Sequence, residues 1–224
     1  RRGHIANVLR KHFKMTPKEY RKLLVSNTNV VETNMCAKTW GGIEYSKVPS
    51  LAMSRYTMSF RRNDTERFNS YLNDLSQGKT KVNVGAIYPY DVIKNINNGD
   101  LAQRQWESLP DYMVNCHDII LPLVDVSGSM TTNIPNSSLS PLQVAVSLGL
   151  YISERNVGPL QNYFMTFSSY PSLVHTVGTL KERFHQMVTS DWGMNTDLIA
   201  VFKTLLNQSI KNNIRLIPNN LDNS

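Results

Sequence analysis

His117-Asp118-Ile119-Ile120-Leu121-Pro122-Leu123-Val124-Asp125-Val126-Ser127-Gly128-Ser129-Met130 joins an apolar run to a cluster of oxygen-bearing side chains near the middle of the chain. Its apolar run from Ile119 to Val124, with Pro122 the one irregularity, predicts a strand buried on both faces, as in a parallel sheet. The run ends in Asp-x-Ser-x-Ser, which places oxygen-bearing side chains at alternate positions just past the strand. Open α/β sheets bind ligands outside the carboxyl ends of their strands, so Asp125, Ser127 and Ser129 are the first candidates for a site.

Downstream, from Cys116, the pattern alternates between strand and helix, which indicates α/β layering. A polar loop, 131–138, precedes a helix opened by Ser140 and Pro141 and running to about Arg155. Strands are expected over 162–167 and 173–177, and a helix over 179–188 with Leu180, Phe184 and Met187 on one face. A second polar loop, Asp191 to Asp197, leads into a helix ending near Lys211. The Asn-rich tail reads as a loop ahead of a further strand.

Upstream, the chain is a series of short helices. Ile5, Val8, Leu9 and Phe13 have the spacing of one helix face, expected to dock by its apolar side. Thr16-Pro17-Lys18-Glu19 is a capping box that opens a second helix, with Tyr20, Leu23 and Leu24 expected inward. Helices follow over 30–39, from Ser50 (Met53, Tyr56 and Phe60 inward), from the Asn63-Asp64-Thr65-Glu66 cap pattern to Gly78, from Pro89 to about Ile96, and from Asp100 to Leu109. No fixed repeat period is evident. We therefore expect a helical domain over residues 1–112 and an α/β domain over 113–224, incomplete at its carboxyl end.

The net charge of +7 has one location. Residues 1–22 carry eight Lys and Arg against Glu19 alone, and the rest of the chain is nearly neutral. A basic arm of this kind is either a solvated face or a phosphate contact surface, and Arg10, Lys11, Lys14, Lys18, Arg21 and Lys22 are the candidate nucleic-acid contacts. Two cysteines, Cys36 and Cys116, are too few for a disulfide framework and are expected to be buried, reduced thiols, which favours an intracellular setting. No apolar run approaches the roughly 18 residues of a membrane span. The start at Arg1 suggests a piece of a longer chain.

Asp125, Ser127 and Ser129 offer one carboxylate and two hydroxyls, hard donors suited to Mg2+, Mn2+ or Ca2+. An ion held mainly by neutral hydroxyls and water keeps strong Lewis acidity toward an outside carboxylate, which favours an acidic partner. Thr196 could complete the set from the second loop. Asp125-Val126-Ser127-Gly128-Ser129 and Gly193-Met194-Asn195-Thr196-Asp197 resemble the two loops of the metal-ion-dependent adhesion site of von Willebrand factor A domains, which have a Rossmann-like α/β fold. The resemblance implies metal-ligand roles for Asp125, Ser127, Ser129 and Thr196. The family's last metal-site Asp follows a further strand that is not found before Ser224, so weak Mg2+ binding is expected of this chain.

Helices followed by such a domain are similar to the TROVE (Ro ribonucleoprotein) proteins, whose helical ring binds RNA. Trp40 to Phe60, Asp64 to Tyr71, Tyr88-Pro89-Tyr90-Asp91 and Trp192 to Asp197 resemble an uncharacterised family of plant and giant-virus proteins, which brings no activity with it.

Enzymatic readings fit less well. A phosphoryl-transfer Asp of the haloacid-dehalogenase kind needs a second Asp where Ser127 stands, and no Gly-x-Ser-x-Gly elbow surrounds either serine. The histidines, His4, His12, His117, His175 and His185, lack ligand spacing. The expectation is a non-enzymatic binding protein that engages an acidic protein through a divalent metal, with RNA binding by the basic helices as the alternative.

Overall fold

The computed structural model describes residues 2–212 apart from 29, 86, 117, 136, 138, 168, 169 and 191–196. Over these described residues the protein is a mixed α/β structure, largely helical, with one small sheet. Among the described residues seven α-helices come first: α1 (Arg2–His12), α2 (Pro17–Ser26), α3 (Val31–Cys36), α4 (Ser50–Asn63), α5 (Thr65–Ser76), α6 (Pro89–Lys94) and α7 (Asp100–Glu107). Then follow β1 (Leu123–Val124), α8 (Pro141–Arg155), β2 (Tyr163–Thr166), β3 (Leu173–His175), α9 (Leu180–Val188) and α10 (Leu198–Asn212).

β1 and β2 are parallel, with Val124 opposite Thr166, and α8 is the crossover between them. β3 lies antiparallel on the other side of β2. Local chemistry starts the helices: Thr16, Ser140 and Thr179 each accept a backbone N–H three residues on while Glu19, Gln143 and Glu182 reach back. Each such cap contributes about 1 kcal/mol.

Two apolar cores form. One gathers Ile43, Tyr45, Met53, Phe60, Phe68 and Leu75 under α4 and α5. The other joins Val92, Ile93 and Trp106 of the helical half to Val124, Val146, Leu150, Phe164 and Met187 of the sheet half. Packing thus crosses residue 112, where the domain boundary is expected. α7 stands between the cores, with Leu101 in the first and Ala102 and Trp106 in the second. Its fully buried Gln105 ties it to α4, donating to the Ser50 carbonyl at 3.0 Å and accepting from the Ser54 hydroxyl at 2.8 Å.

A polar joint completes the seam. The Trp106 indole donates to Glu154 Oε2 at 2.5 Å, and Arg183 Nη1 lies 3.1 Å from the same oxygen. The Arg155 guanidinium sits 4.1 Å from the centre of the Tyr151 ring, and the Tyr151 hydroxyl accepts from Tyr112 N and donates to the Pro110 carbonyl.

Four expectations are corrected. The strand predicted over 119–124 contracts to Leu123–Val124, and Ile119 and Leu123 are 52% and 39% exposed. Pro122 has no N–H to give a ladder, and Asn156 serves Ile120 instead, its side chain accepting from Ile120 N and donating to Ile120 O. The Asn63-Asp64-Thr65-Glu66 cap pattern does not form: Asn63 ends α4 with its side chain on the Ser59 carbonyl, and Asp64, at the N-cap position of α5, makes no side-chain cap bond because its carboxylate accepts from the Tyr45 hydroxyl and pairs with Arg67, both at short range. Cys36 is exposed and Cys116 half-buried, because α3 buries no residue and Cys116 lies in the irregular connector. The apolar stripes of α1 and α2 do not dock: Ile5, Phe13 and Leu24 are 59%, 57% and 49% exposed, and both cores begin beyond residue 30.

Candidate functional site

Val124 and Val126 are buried and alternate with half-buried Asp125 and Ser127, so the strand's pleat turns the polar side chains out at its carboxyl end. Burying each valine contributes roughly 1.5–3 kcal/mol, which anchors the loop root in the larger core. Gly149 of α8 allows the approach: a Cβ there would stand 2.6 Å from Val124 Cγ2. Parallel pairing fixes the other side, with Met165 N donating to Pro122 O and Phe167 N to Val124 O.

Past the strand the chain folds on itself. Asp125 Oδ1 accepts the Ser127 N–H at 2.9 Å, an Asx turn. Gly128–Thr131 form a single 3-10 turn, with Met130 N donating to Ser127 O. Thr131 and Thr132 hydroxyls hold the carbonyls of Gly128 and Ser129 at 2.6 and 3.0 Å. The turn brings Ser127 Oγ and Ser129 Oγ to 3.1 Å.

That separation suits a cation. Octahedral Mg2+ with oxygens at 2.0–2.1 Å sets neighbouring ligands about 2.9 Å apart, so small shifts would exchange the hydroxyl–hydroxyl bond for two metal bonds. Among the described residues no three His, Cys, Asp or Glu side chains gather. A cation at this loop would therefore rest on one carboxylate and hydroxyls.

The structure brings Asp125, Ser127 and Ser129 together. Thr196 lies outside the described residues, so its predicted place beside them is not part of the geometry. Asp197, next to it, caps α10, its carboxylate accepting from Ala200 N at 3.0 Å. Arg10 is half-buried and bonds the Met15 carbonyl at 3.2 Å, while Lys11, Lys14, Lys18, Arg21 and Lys22 are exposed and lie far from the loop in sequence.

Thr166 was not apparent from the sequence. It ends β2 opposite Val124, is fully buried, and its Oγ1 accepts from Ser172 N at 3.0 Å and lies 3.3 Å from Ser172 Oγ. Its hydroxyl closes the β2–β3 turn at the same sheet end as the Asp125 loop, and only the strand register reveals it.

These elements define a mixed α/β protein with a helical amino-terminal half. The chain belongs to the family described as Domain of unknown function (DUF2828), whose model matches residues 1–118. A second, Domain of unknown function (DUF7788), matches residues 120–217. The chain is similar to an uncharacterized protein of Acanthamoeba polyphaga mimivirus, 30% identical over 240 residues that cover 97% of this chain and 40% of the relative. It thus spans 40% of that relative's length. The expected kinship with an uncharacterised giant-virus family is borne out. No solved structure matches the chain.

Proposed function

We propose that the Asp125–Ser129 loop is the metal-binding part of a protein-interaction site, in a non-enzymatic protein whose second half is a von Willebrand A-like, Rossmann-like α/β domain. The observation that carries this reading is the 3.1 Å convergence of Ser127 Oγ and Ser129 Oγ beside Asp125, at the carboxyl end of a parallel strand. A helical crossover between parallel strands with one antiparallel edge strand suits a doubly wound sheet. Asp125, Ser127, Ser129 and, from the second loop, Thr196 would hold Mg2+, Mn2+ or Ca2+. The ion would supply Lewis acidity toward a carboxylate of an acidic partner.

The test is capture of partner by the full-length protein. Binding should be lost in EDTA, regained on adding Mg2+, and absent from a Ser127→Ala, Ser129→Ala double variant; binding indifferent to all three would reject the reading. RNA contact by the basic arm is set second. The exposure of Lys11, Lys14, Lys18, Arg21 and Lys22 suits it, but it leaves the bare apolar residues between them without a role.

A further inference from the structure

The arm formed by α1 and α2 has two faces in water at once. Ile5, Val8, Leu9, Phe13, Leu24 and Val25 are between 40% and 61% exposed, and α2 buries no residue. Ile5, Val8 and Leu9 follow the i, i+3, i+4 spacing of one helix side, and Arg10, Lys11 and Lys14 fall off it. In α2, Lys18, Arg21 and Lys22 lie across the helix from Tyr20, Leu23 and Leu24. The arm's one acid, Glu19, is turned back on Thr16, accepting from both its N–H and its hydroxyl at 2.8 Å.

We propose that residues 2–28 are a peripheral anchor for an anionic lipid surface. A basic amphipathic helix lies in the plane of such a surface, with its apolar face among the acyl chains and its cations at the phosphates. A polyanion such as RNA would neutralise the lysines but leave Leu9, Phe13 and Leu24 in water. Lipid accounts for both faces. Among the described residues no helix is long and apolar enough to cross a membrane, so the arm lies on the bilayer without crossing it.

The experiment is co-sedimentation of the whole chain with phosphatidylcholine vesicles, with and without phosphatidylserine, in EDTA so that the Asp125 loop plays no part. Binding should require phosphatidylserine and fall with added salt. Lys11→Ala with Lys14→Ala should weaken it by about thirtyfold, two cations at roughly 1 kcal/mol each. Leu9→Ser with Phe13→Ser, which keeps every charge, should weaken it at least tenfold. All four side chains are exposed, so circular dichroism melts should match the parent. The proposal fails if phosphatidylserine vesicles are not bound or if the apolar pair has no effect. It fails equally if a poly(U) probe binds through the same lysines while vesicles do not, or if an acidic protein alone is captured.

Discussion

Ser127 Oγ and Ser129 Oγ lie 3.1 Å apart, held so by a 3-10 turn that begins two residues beyond buried Val126. Neither hydroxyl supports a core. Replacing both by alanine should change folding stability by no more than about 0.5 kcal/mol, the range of surface substitutions. Urea unfolding checks this, and a loss well beyond that range would give the hydroxyls a role in the fold instead.

Gly149→Ala should be costly. The new methyl would sit 2.6 Å from Val124 Cγ2 and 3.4 Å from Met187 atoms, forcing α8 away from β1. Overpacking of this kind costs about 1–3 kcal/mol. Thermal melting should show the loss, and amide shifts at Asp125 to Ser129 should move with it because their strand root is displaced.

Glu154 supplies the carboxylate of the polar joint between the halves. Glu154→Ala removes the acceptor of the Trp106 indole and leaves the guanidinium of Arg183, whose side chain is 10% exposed, without its ion pair. Because Glu154 itself is 26% exposed, the loss should be roughly 2–3 kcal/mol, below that of a fully buried pair. Tryptophan fluorescence during urea unfolding measures it, and Glu154→Gln, which keeps an acceptor for the indole, should lose less.

Acid should open two helix starts. Hydrogen bonds from the backbone and then the side chain of Thr16 hold the Glu19 carboxyl below its ordinary range, and Thr179 does the same for Glu182. Both folded-state values are depressed, so these caps are complete above the ordinary glutamate range and are lost as pH falls through the lower folded values. Carboxyl carbon shifts followed by NMR should titrate low for both residues, and Thr16→Ala should return Glu19 alone to the usual range.

Much of the fold is legible in local chemistry. Thr16-Pro17, Ser140-Pro141 and Thr179 mark helix starts within a residue, because a cap is a bond between near neighbours. Asp64 misleads for the opposite reason: its carboxylate is taken by Tyr45, nineteen positions away, a partner that spacing does not show. Burial is the least legible feature. The stripes of α1, α2 and the run before Val124 are apolar in sequence, yet exposure depends on whether another element arrives to cover them. At the site, the Asp-x-Ser-x-Ser pattern puts Asp125, Ser127 and Ser129 in view as neighbours in one loop, whereas Thr166 needed the register of β1 on β2.

If the Asp125 loop takes a divalent cation as proposed, titration with Mn2+ followed by 1H–15N NMR will register it, since paramagnetic broadening reports even weak binding. Broadening should be selective for the amides of Asp125 to Met130 and should vanish in the Ser127→Ala, Ser129→Ala variant. Uniform broadening, or selective broadening that survives in the variant, would rule out a cation held by these hydroxyls.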